Sequence, residues 1–410
     1  MEQSRARVLF DAWHKAGGKE FRPLAPNQSF IIPSDSLFKS LGERASFVWF
    51  HTGKEQVYSL VGNVDSFVLH KLAPTQQIDS LSNTFSQYVS DFKASENEIK
   101  EVGKTLFPLL FPHPDNLPER IIISTDGALT RIPFDALVQA NGEYFIQKHI
   151  LSYALSASTL TESSSPSASM SMIAISPEKW KNASLAPLKK ERGEVQHICK
   201  KGCEKLEGSQ ATKSLFKALL QSFPTRIIHF STHAKAGHSL DPKESWVAFS
   251  DHDSQDSADY FMYLDEIYAM SLPMDMAFLS GCETGIGTVT GGEGALSLAR
   301  AFTYAGCKSV ISTLWPVEHE PNAWIVQKFY HYLNKGFSKD NALRQAKLDF
   351  LNPDEQDQWE RKPNRWAALT ALGNMEPTII IKDKPPYAWY LVIAVGLLLF
   401  FVFLKKSLKK

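Results

Sequence analysis

The sequence has little cysteine and no excess of charge of either sign. Its 410 residues include four cysteines, 44 Lys and Arg residues and 44 Asp and Glu residues. Four cysteines are too few for a disulfide framework, so they indicate free thiols in a reducing compartment. Because the formal net charge is zero, no overall electrostatic field favours binding to nucleic acid. These absences exclude a disulfide-rich secreted scaffold and predict no nucleic-acid partner.

Metal-ligand clusters and tandem repeats are also missing from the sequence. Cys199 and Cys203, with His197 nearby, have the spacing of half a metal site, but no second Cys and His cluster completes it. The ligand count therefore favours the alternative, a surface pair between a helix and a strand. No 34-residue self-similarity is present, so a tetratricopeptide array is not expected. We predict neither a metal nor a cofactor.

A long apolar run occurs near the C-terminus. The residues after Met1 lack the apolar core of a signal peptide, whereas the 18 residues at 387–404 carry no charge and precede four lysines. A helix of that length spans about 27 Å, close to the ~30 Å of a bilayer core. This run predicts a tail-anchored, single-pass membrane protein; the alternative is a buried core helix. The lysines favour a cytoplasmic tail, but the lack of a signal peptide predicts that the large domain before the run is cytoplasmic.

Strand-like and helix-like segments alternate regularly along the second half of the chain. Short apolar runs such as 227–230 and 277–279 alternate with helical stretches that include 293–304 and 322–333. This alternation predicts a mostly parallel sheet with right-handed crossovers. The expected fold class is therefore α/β, with a mostly parallel sheet flanked by helices.

The first half of the chain reads as α/β as well. Two β-rich runs, 46–51 and 56–61, are joined by a hairpin signal, and helical patterns follow at about 80–93 and 96–110. A Ser- and Pro-rich stretch then has the composition of a linker. We therefore predict an N-terminal subdomain at 1–162, a linker at 163–171, a second subdomain at 172–375 and a transmembrane helix at 387–404.

A cysteine and a histidine follow two of the predicted strands. The apolar run 276–279 leads into Ser280, Gly281 and Cys282, and a glycine-rich loop comes next. His233 ends another apolar run and lies 49 residues upstream of the cysteine. Ligands of open α/β sheets bind at the carboxyl ends of the strands, and the same order with about 50 residues between the two is found in caspases. A cysteine in this position would by itself be more typical of a core residue.

The segments around both residues resemble the CHAT family, a relative of caspases and separase. The similar motifs lie at 122–134, 152–156, 230–233, 279–285, 292–294, 298–302, 305–306, 310–316, 329–330, 342–346 and 366–373. The resemblance implies a caspase-like fold whose N-terminal half is a degenerate caspase-like unit. It also implies a cysteine endopeptidase with His233 and Cys282 as the catalytic dyad. One departure is Ala234, since many relatives have glycine directly after the histidine.

The dyad needs a base for the thiol and donors for the oxyanion. A free thiol has a pKa of about 8.5, so a nearby imidazole is required to take its proton or to stabilise the thiolate. Peptide N–H groups stabilise the oxyanion that develops on the substrate. The candidates are the N–H of Cys282 and the loop that begins at Ala234, with Gly281 allowing close approach of a substrate backbone.

Four further residues are candidates for the substrate pocket. Trp315 is placed beside it, with a plain core position as the equal alternative. Asp251, Glu318 and Glu320 are loop acids that would favour a basic side chain before the scissile bond, although ordinary solvated charge is the simpler interpretation. His229, within its strand, and Cys307, which has no paired histidine, are expected to be structural.

The predicted function is a membrane-anchored cysteine endopeptidase that cleaves a protein or peptide substrate. Ala234 and the flexible glycine loop suggest a site that is not fully formed, so we also expect an activating partner protein. Two alternatives use the same fold without catalysis. One is a binding module that recognises a partner, and the other is a signalling adaptor at the membrane.

Overall fold

Strands and helices alternate along the part of the chain that the structure describes. The computed structural model describes residues 45–63, 67–155, 160, 172–181, 185–188, 191–199, 203–223, 225–237, 241–251, 256–280, 288–290, 294–296 and 298–378. Its strands are β1 (Ala45–Thr52), β2 (Gln56–Gly62), β3 (Phe67–Pro74), β4 (Arg120–Ser124), β5 (Ile150–Tyr153), β6 (Met172–Ser176), β7 (Cys203–Glu207), β8 (Ile227–Phe230), β9 (Ala234–Lys235), β10 (Trp246–Ala248), β11 (Phe261–Tyr263), β12 (Met276–Leu279), β13 (Thr288–Thr290), β14 (Gly294–Leu296), β15 (Ser309–Thr313) and β16 (Leu369–Gly373).

Helices lie between many of the strands, and two of them show how the sequence sets a helix start and a buried face. They are α1 (Thr75–Ser90), α2 (Glu96–Leu110), α3 (Phe145–Lys148), α4 (Glu191–Ile198), α5 (Lys213–Ser222), α6 (Ser257–Tyr260), α7 (Leu264–Tyr268), α8 (Leu298–Tyr304), α9 (His319–Asn334), α10 (Lys339–Leu351) and α11 (Pro363–Trp366). The start of α2 is fixed by a capping box, because Ser95 and Glu98 bond to each other's backbone N–H groups. Buried side chains recur at three- and four-residue intervals along α1, which is the spacing of one helix face.

One sheet of eleven strands runs through both halves of the chain. Its order is β3-β2-β1-β4-β5-β16-β15-β12-β8-β6-β7. The predicted hairpin is confirmed, since β1 and β2 pair antiparallel. Seven neighbouring pairs are parallel: β1–β4, β4–β5, β5–β16, β15–β12, β12–β8, β8–β6 and β6–β7. The predicted mostly parallel α/β sheet is therefore confirmed, whereas the subdomain boundaries stay a prediction, and the linker at 163–171 lies outside the described residues.

The central strands are buried on both faces. In β12 every residue is buried, and successive side chains alternate between two core clusters. Phe278 packs on one face with Phe329 and Tyr330 of α9, and Leu279 belongs to the cluster on the other face. Because both faces are covered by helices, these strands are continuous apolar runs rather than alternating ones.

One predicted helix starts later than its sequence pattern indicates. The sequence predicts a helix over 293–304. In the structure 294–296 form strand β14, which pairs with β13, and α8 begins at Leu298. Glycines at 291, 292 and 294 have a low helix propensity, which accounts for the later start.

The cysteines differ from the expectation of four free thiols. Cys199 and Cys203 are joined by a disulfide, so that prediction is wrong for these two residues. The bond ties the end of α4 to the start of β7. Within the described ranges, no group of three or more His, Cys, Asp and Glu side chains is arranged to hold a metal ion. Cys307 is buried and free, as its predicted core position requires, and burial raises the pKa of its thiol.

The membrane prediction requires correction. Across the residues that the structure describes, no helix is both long enough and apolar enough to span a bilayer. The longest, α1 and α9, have 16 residues each, about 24 Å of helix against a bilayer core of ~30 Å. The predicted span, 387–404, lies outside the described residues. A single-pass membrane protein with a cytoplasmic catalytic domain is contradicted by this finding, and we do not retain it.

A buried lysine at the start of α10 predicts an unusual dependence of stability on pH. Lys339 is 3% exposed and its ammonium donates to the carbonyl of Asn374. Burial lowers the pKa of this lysine from 10.5 to about 8, and the nearby Asp275 only partly offsets the effect. Below pH 8 the charge is present in both the folded and the unfolded chain, so its burial destabilises the fold fully. Between pH 8 and 10.5 only the unfolded chain binds the proton, so stability rises with pH.

Replacing this lysine by methionine should remove that dependence. We expect Lys339→Met to be more stable than the wild type at pH 7, by up to about 3 kcal/mol for a shift of this size. The advantage should shrink as the pH rises from 8 to 10.5. Urea unfolding of both proteins at half-unit pH steps measures the difference. A difference that stays constant over this range would contradict the buried-charge explanation.

Candidate active site

His233 and Cys282 follow neighbouring strands at matching positions. Strands β8 and β12 are parallel neighbours, and their last residues, Phe230 and Leu279, are directly paired. Each candidate comes three residues after its strand's last residue. The ladder extends one residue further, since the N–H of Ser280 donates to the carbonyl of Phe230 over 2.9 Å. Parallel neighbours are about 4.8 Å apart, so the two segments leave the sheet side by side.

Cys282 itself lies outside the described residues, as does Gly281. The stretch that follows contains the β13–β14 hairpin, and β14 lies against the turn at Gly127–Arg131 of the N-terminal half.

The backbone around His233 is held by the small sheet β9-β10-β11. The hydroxyl of Thr232 donates to the carbonyl of Ala248 over 2.9 Å. The N–H of Ala248 donates in turn to the carbonyl of His233, also over 2.9 Å. Ala234 opens β9, pairs with Val247 of β10 and is 9% exposed. The predicted oxyanion segment after the histidine is thus part of a strand ladder, while its catalytic role stays a prediction.

The imidazole of His233 lies next to a polar group and an aromatic ring. Its Nε2 lies 2.8 Å from the carbonyl oxygen of Ala186, and its ring centroid is 5.1 Å from that of Trp180. A carbonyl oxygen only accepts hydrogen bonds, so Nε2 carries the proton of the neutral ring. The lone pair is then on Nδ1, which is the atom left to act as a base.

The connection from β6 to α4 places both of these neighbours. The indole N–H of Trp180 donates to the carbonyl of Phe249 over 2.7 Å, and the N–H of Lys181 donates to the carboxylate of Asp251 over 2.9 Å. A backbone bond from Leu188 to Glu178 closes the segment. These contacts fix the Ala186 carbonyl against the histidine rather than leaving it on a free loop.

The predicted pocket residues lie in different surroundings. Trp315 is 3% exposed and donates from its indole to the carbonyl of Asn364, which favours the core interpretation. Asp251 is 2% exposed. Glu318 pairs with Arg365 at 2.9 Å, and Glu320 is exposed in the first turn of α9.

Three groups that contact His233 or Ser280 at this edge of the sheet were not predicted from the sequence. They are the carbonyl of Ala186, the ring of Trp180 and the amide of Asn322, whose Nδ2 donates to the hydroxyl of Ser280 over 3.1 Å. A carbonyl has no sequence signal of its own.

His229 is expected from the sequence to be structural. In the structure it is fully buried, with its Nδ1 3.0 Å from the hydroxyl of Tyr330, and this prediction is confirmed.

Known proteins are similar to parts of this chain. Tetratricopeptide repeat protein 28 of Mus musculus is 25% identical over 203 residues, covering 42% of this chain and 8% of that protein. The Homo sapiens protein of the same name is 23% identical over 304 residues, covering 62% and 12%. The chain therefore spans only a small part of these curated relatives. A crystal structure of the Saccharomyces cerevisiae separase–securin complex aligns with a TM-score of 0.56 at 8% identity, covering 83% of this chain and 30% of that one.

The separase alignment shows a shared fold, since its sequence identity is too low to show more. A family model for the CHAT domain matches residues 100–374, well over half of the chain. The match includes β8, β12 and the segments that follow them, and it confirms the resemblance inferred from the motifs. The chain therefore belongs to the CHAT domain family.

Proposed function

We propose that this protein is a cysteine endopeptidase in which His233 and Cys282 form the catalytic dyad. The observation that carries the proposal is the register of β8 and β12. Their last residues, Phe230 and Leu279, are directly paired, so the segments that contain His233 and Cys282 begin at adjacent points of the sheet. Carboxyl ends of parallel strands are where α/β proteins bind their ligands. The CHAT family membership and the separase-like fold support the proposal without establishing the activity.

In the proposed reaction Nδ1 of His233 accepts the proton of the Cys282 thiol. The thiolate sulfur attacks the carbonyl carbon of the scissile peptide, and the resulting tetrahedral oxyanion is bound by peptide N–H groups. The imidazolium returns the proton to the leaving amine, and the peptide bond breaks to leave an acyl-thioester. A water molecule, deprotonated by the same nitrogen, then hydrolyses the thioester and regenerates the thiol.

The Ala186 carbonyl has a defined role in this scheme. By accepting from Nε2–H it holds the imidazole in the tautomer whose Nδ1 carries the lone pair. It also stabilises the imidazolium, because that cation donates from both ring nitrogens. The ring of Trp180, whose centroid is 5.1 Å from that of the imidazole, limits rotation of the imidazole. The dyad thus has an orienting third group, although this group is a backbone atom.

The proposal is tested by incubating the purified full chain with a diverse peptide pool and identifying new termini by mass spectrometry. Because the proposal includes activation by a partner, we expect slow basal cleavage by the isolated chain, with products that are absent when Cys282→Ala replaces the wild type. A folded wild-type protein that binds peptides without cleaving them would favour the binding module instead. Activation by a partner protein stays part of the proposal, and turnover of the isolated chain above about 1 per second, an ordinary enzyme rate, would contradict that part.

A further inference from the structure

Ser280 is the last described residue before the proposed nucleophile and is held from two directions. Its N–H donates to Phe230 of the histidine strand. Its hydroxyl accepts from Nδ2 of Asn322 over 3.1 Å. Two peptide units separate this residue from Cys282, so any displacement of Ser280 is passed directly to the start of the cysteine loop.

Asn322 lies on a helix that is fixed independently of this contact. The residue is 4% exposed in the first turns of α9. Further along the same helix, Phe329 and Tyr330 pack on Phe278 of β12 at ring separations of 5.4 and 5.8 Å. The Tyr330 hydroxyl also bonds to His229 of β8. The helix is therefore docked on the two strands that precede the proposed dyad, and Asn322 extends that docking to the strand end.

We infer that Asn322 is a positioning residue for the Cys282 loop and acts through Ser280. The inference rests on the proposed peptidase function. Because α9 is already fixed by its aromatic contacts, this single amide–hydroxyl bond adds little to the anchoring of the helix. Its specific effect is to restrain Ser280 from the helix side. Displacement of a catalytic group by about 1 Å can cost on the order of 100-fold in rate, so losing the restraint should lower kcat.

The test is a double-mutant cycle on peptide cleavage with Asn322→Ala, Ser280→Ala and the combined variant. We expect each single change to lower kcat about 10- to 100-fold with KM within about threefold, since substrate contacts are not removed. The combined variant should be no slower than the worse single variant, because both remove the same bond. Ser280→Thr keeps the hydroxyl and should restore kcat to within about threefold of the wild type.

The matched control is Asn334→Ala, which makes the same change at the other end of α9 and should leave kcat unchanged. Thermal unfolding of each variant shows that the measured molecules are folded. Losses that multiply in the combined variant, or a loss confined to KM, would overturn the inference. The two proposals fail differently: a wild type without Cys282-dependent cleavage defeats the proposed function, whereas normal cleavage by Asn322→Ala defeats only the positioning role.

Discussion

Replacing Cys282 with alanine is expected to abolish peptide cleavage, with kcat/KM falling on the order of 10⁴-fold or more. The substitution removes the sulfur that forms the acyl-thioester, and neither the paired strands nor the imidazole can replace it. His233→Ala should cause a loss of similar order, because the thiol is then mostly protonated at neutral pH and the leaving amine loses its proton donor. Cleavage assays on both single variants and the double variant measure the effect.

The control for this prediction is a second cysteine of the same chain. Cys307 is 1% exposed in the core, and burial raises the pKa of its thiol, so it is both inaccessible and protonated. Cys307→Ala should retain most of the activity at some cost in stability. The double variant of Cys282 and His233 should be about as inactive as either single variant, since the two act as a unit. Substantial cleavage by Cys282→Ala would show that the nucleophile lies elsewhere.

Replacing Asp135 with asparagine is expected to destabilise the fold by about 3–5 kcal/mol. Asp135 pairs with Lys347 of α10, whose side chain is fully buried, while that of Asp135 is 8% exposed. The ammonium also donates to the carbonyl of Leu369 in β16 over 2.6 Å. Without the carboxylate, the buried ammonium loses its charged partner. Urea unfolding at neutral pH provides the measurement.

The matched control removes an acid from an exposed ion pair. Glu360 pairs with Lys362 at 3.1 Å, and its side chain is 61% exposed. Glu360→Gln should change stability by no more than about 1 kcal/mol, as is usual for surface pairs. The double change Asp135→Leu with Lys347→Met should recover much of the loss, because it leaves no buried charge unpaired. Equal effects of Asp135→Asn and Glu360→Gln would refute the importance of the buried pair.

Sequence patterns predicted the strands that carry the site because those strands are short, apolar and buried on both faces. The runs 227–230 and 277–279 therefore appeared in the structure at or within one residue of their predicted positions. The order of the strands was not predictable in the same way. Joining β5 to β16 depends on packing between segments more than 200 residues apart, for which a local pattern contains no signal.

The supporting contacts of the candidate site were equally inaccessible to sequence reasoning. The Ala186 carbonyl acts through its backbone, and alanine as a residue type says nothing about it. Asn322 reaches Ser280 only because α9 folds back over β12. The membrane prediction was wrong for a different reason. It rested on the length, the hydropathy and the flanking lysines of one segment, and no helix in the described part of the chain is long and apolar enough to span a bilayer.

Covalent capture of the proposed nucleophile tests the central claim most directly. A peptide carrying a thiol-reactive electrophile is incubated with the full chain, and the modified residue is located by peptide mapping. The dyad predicts modification of Cys282, slowed by at least about tenfold in His233→Ala, with Cys307 unmodified in the folded protein. Modification of a different residue, or an equal rate in His233→Ala, would contradict it.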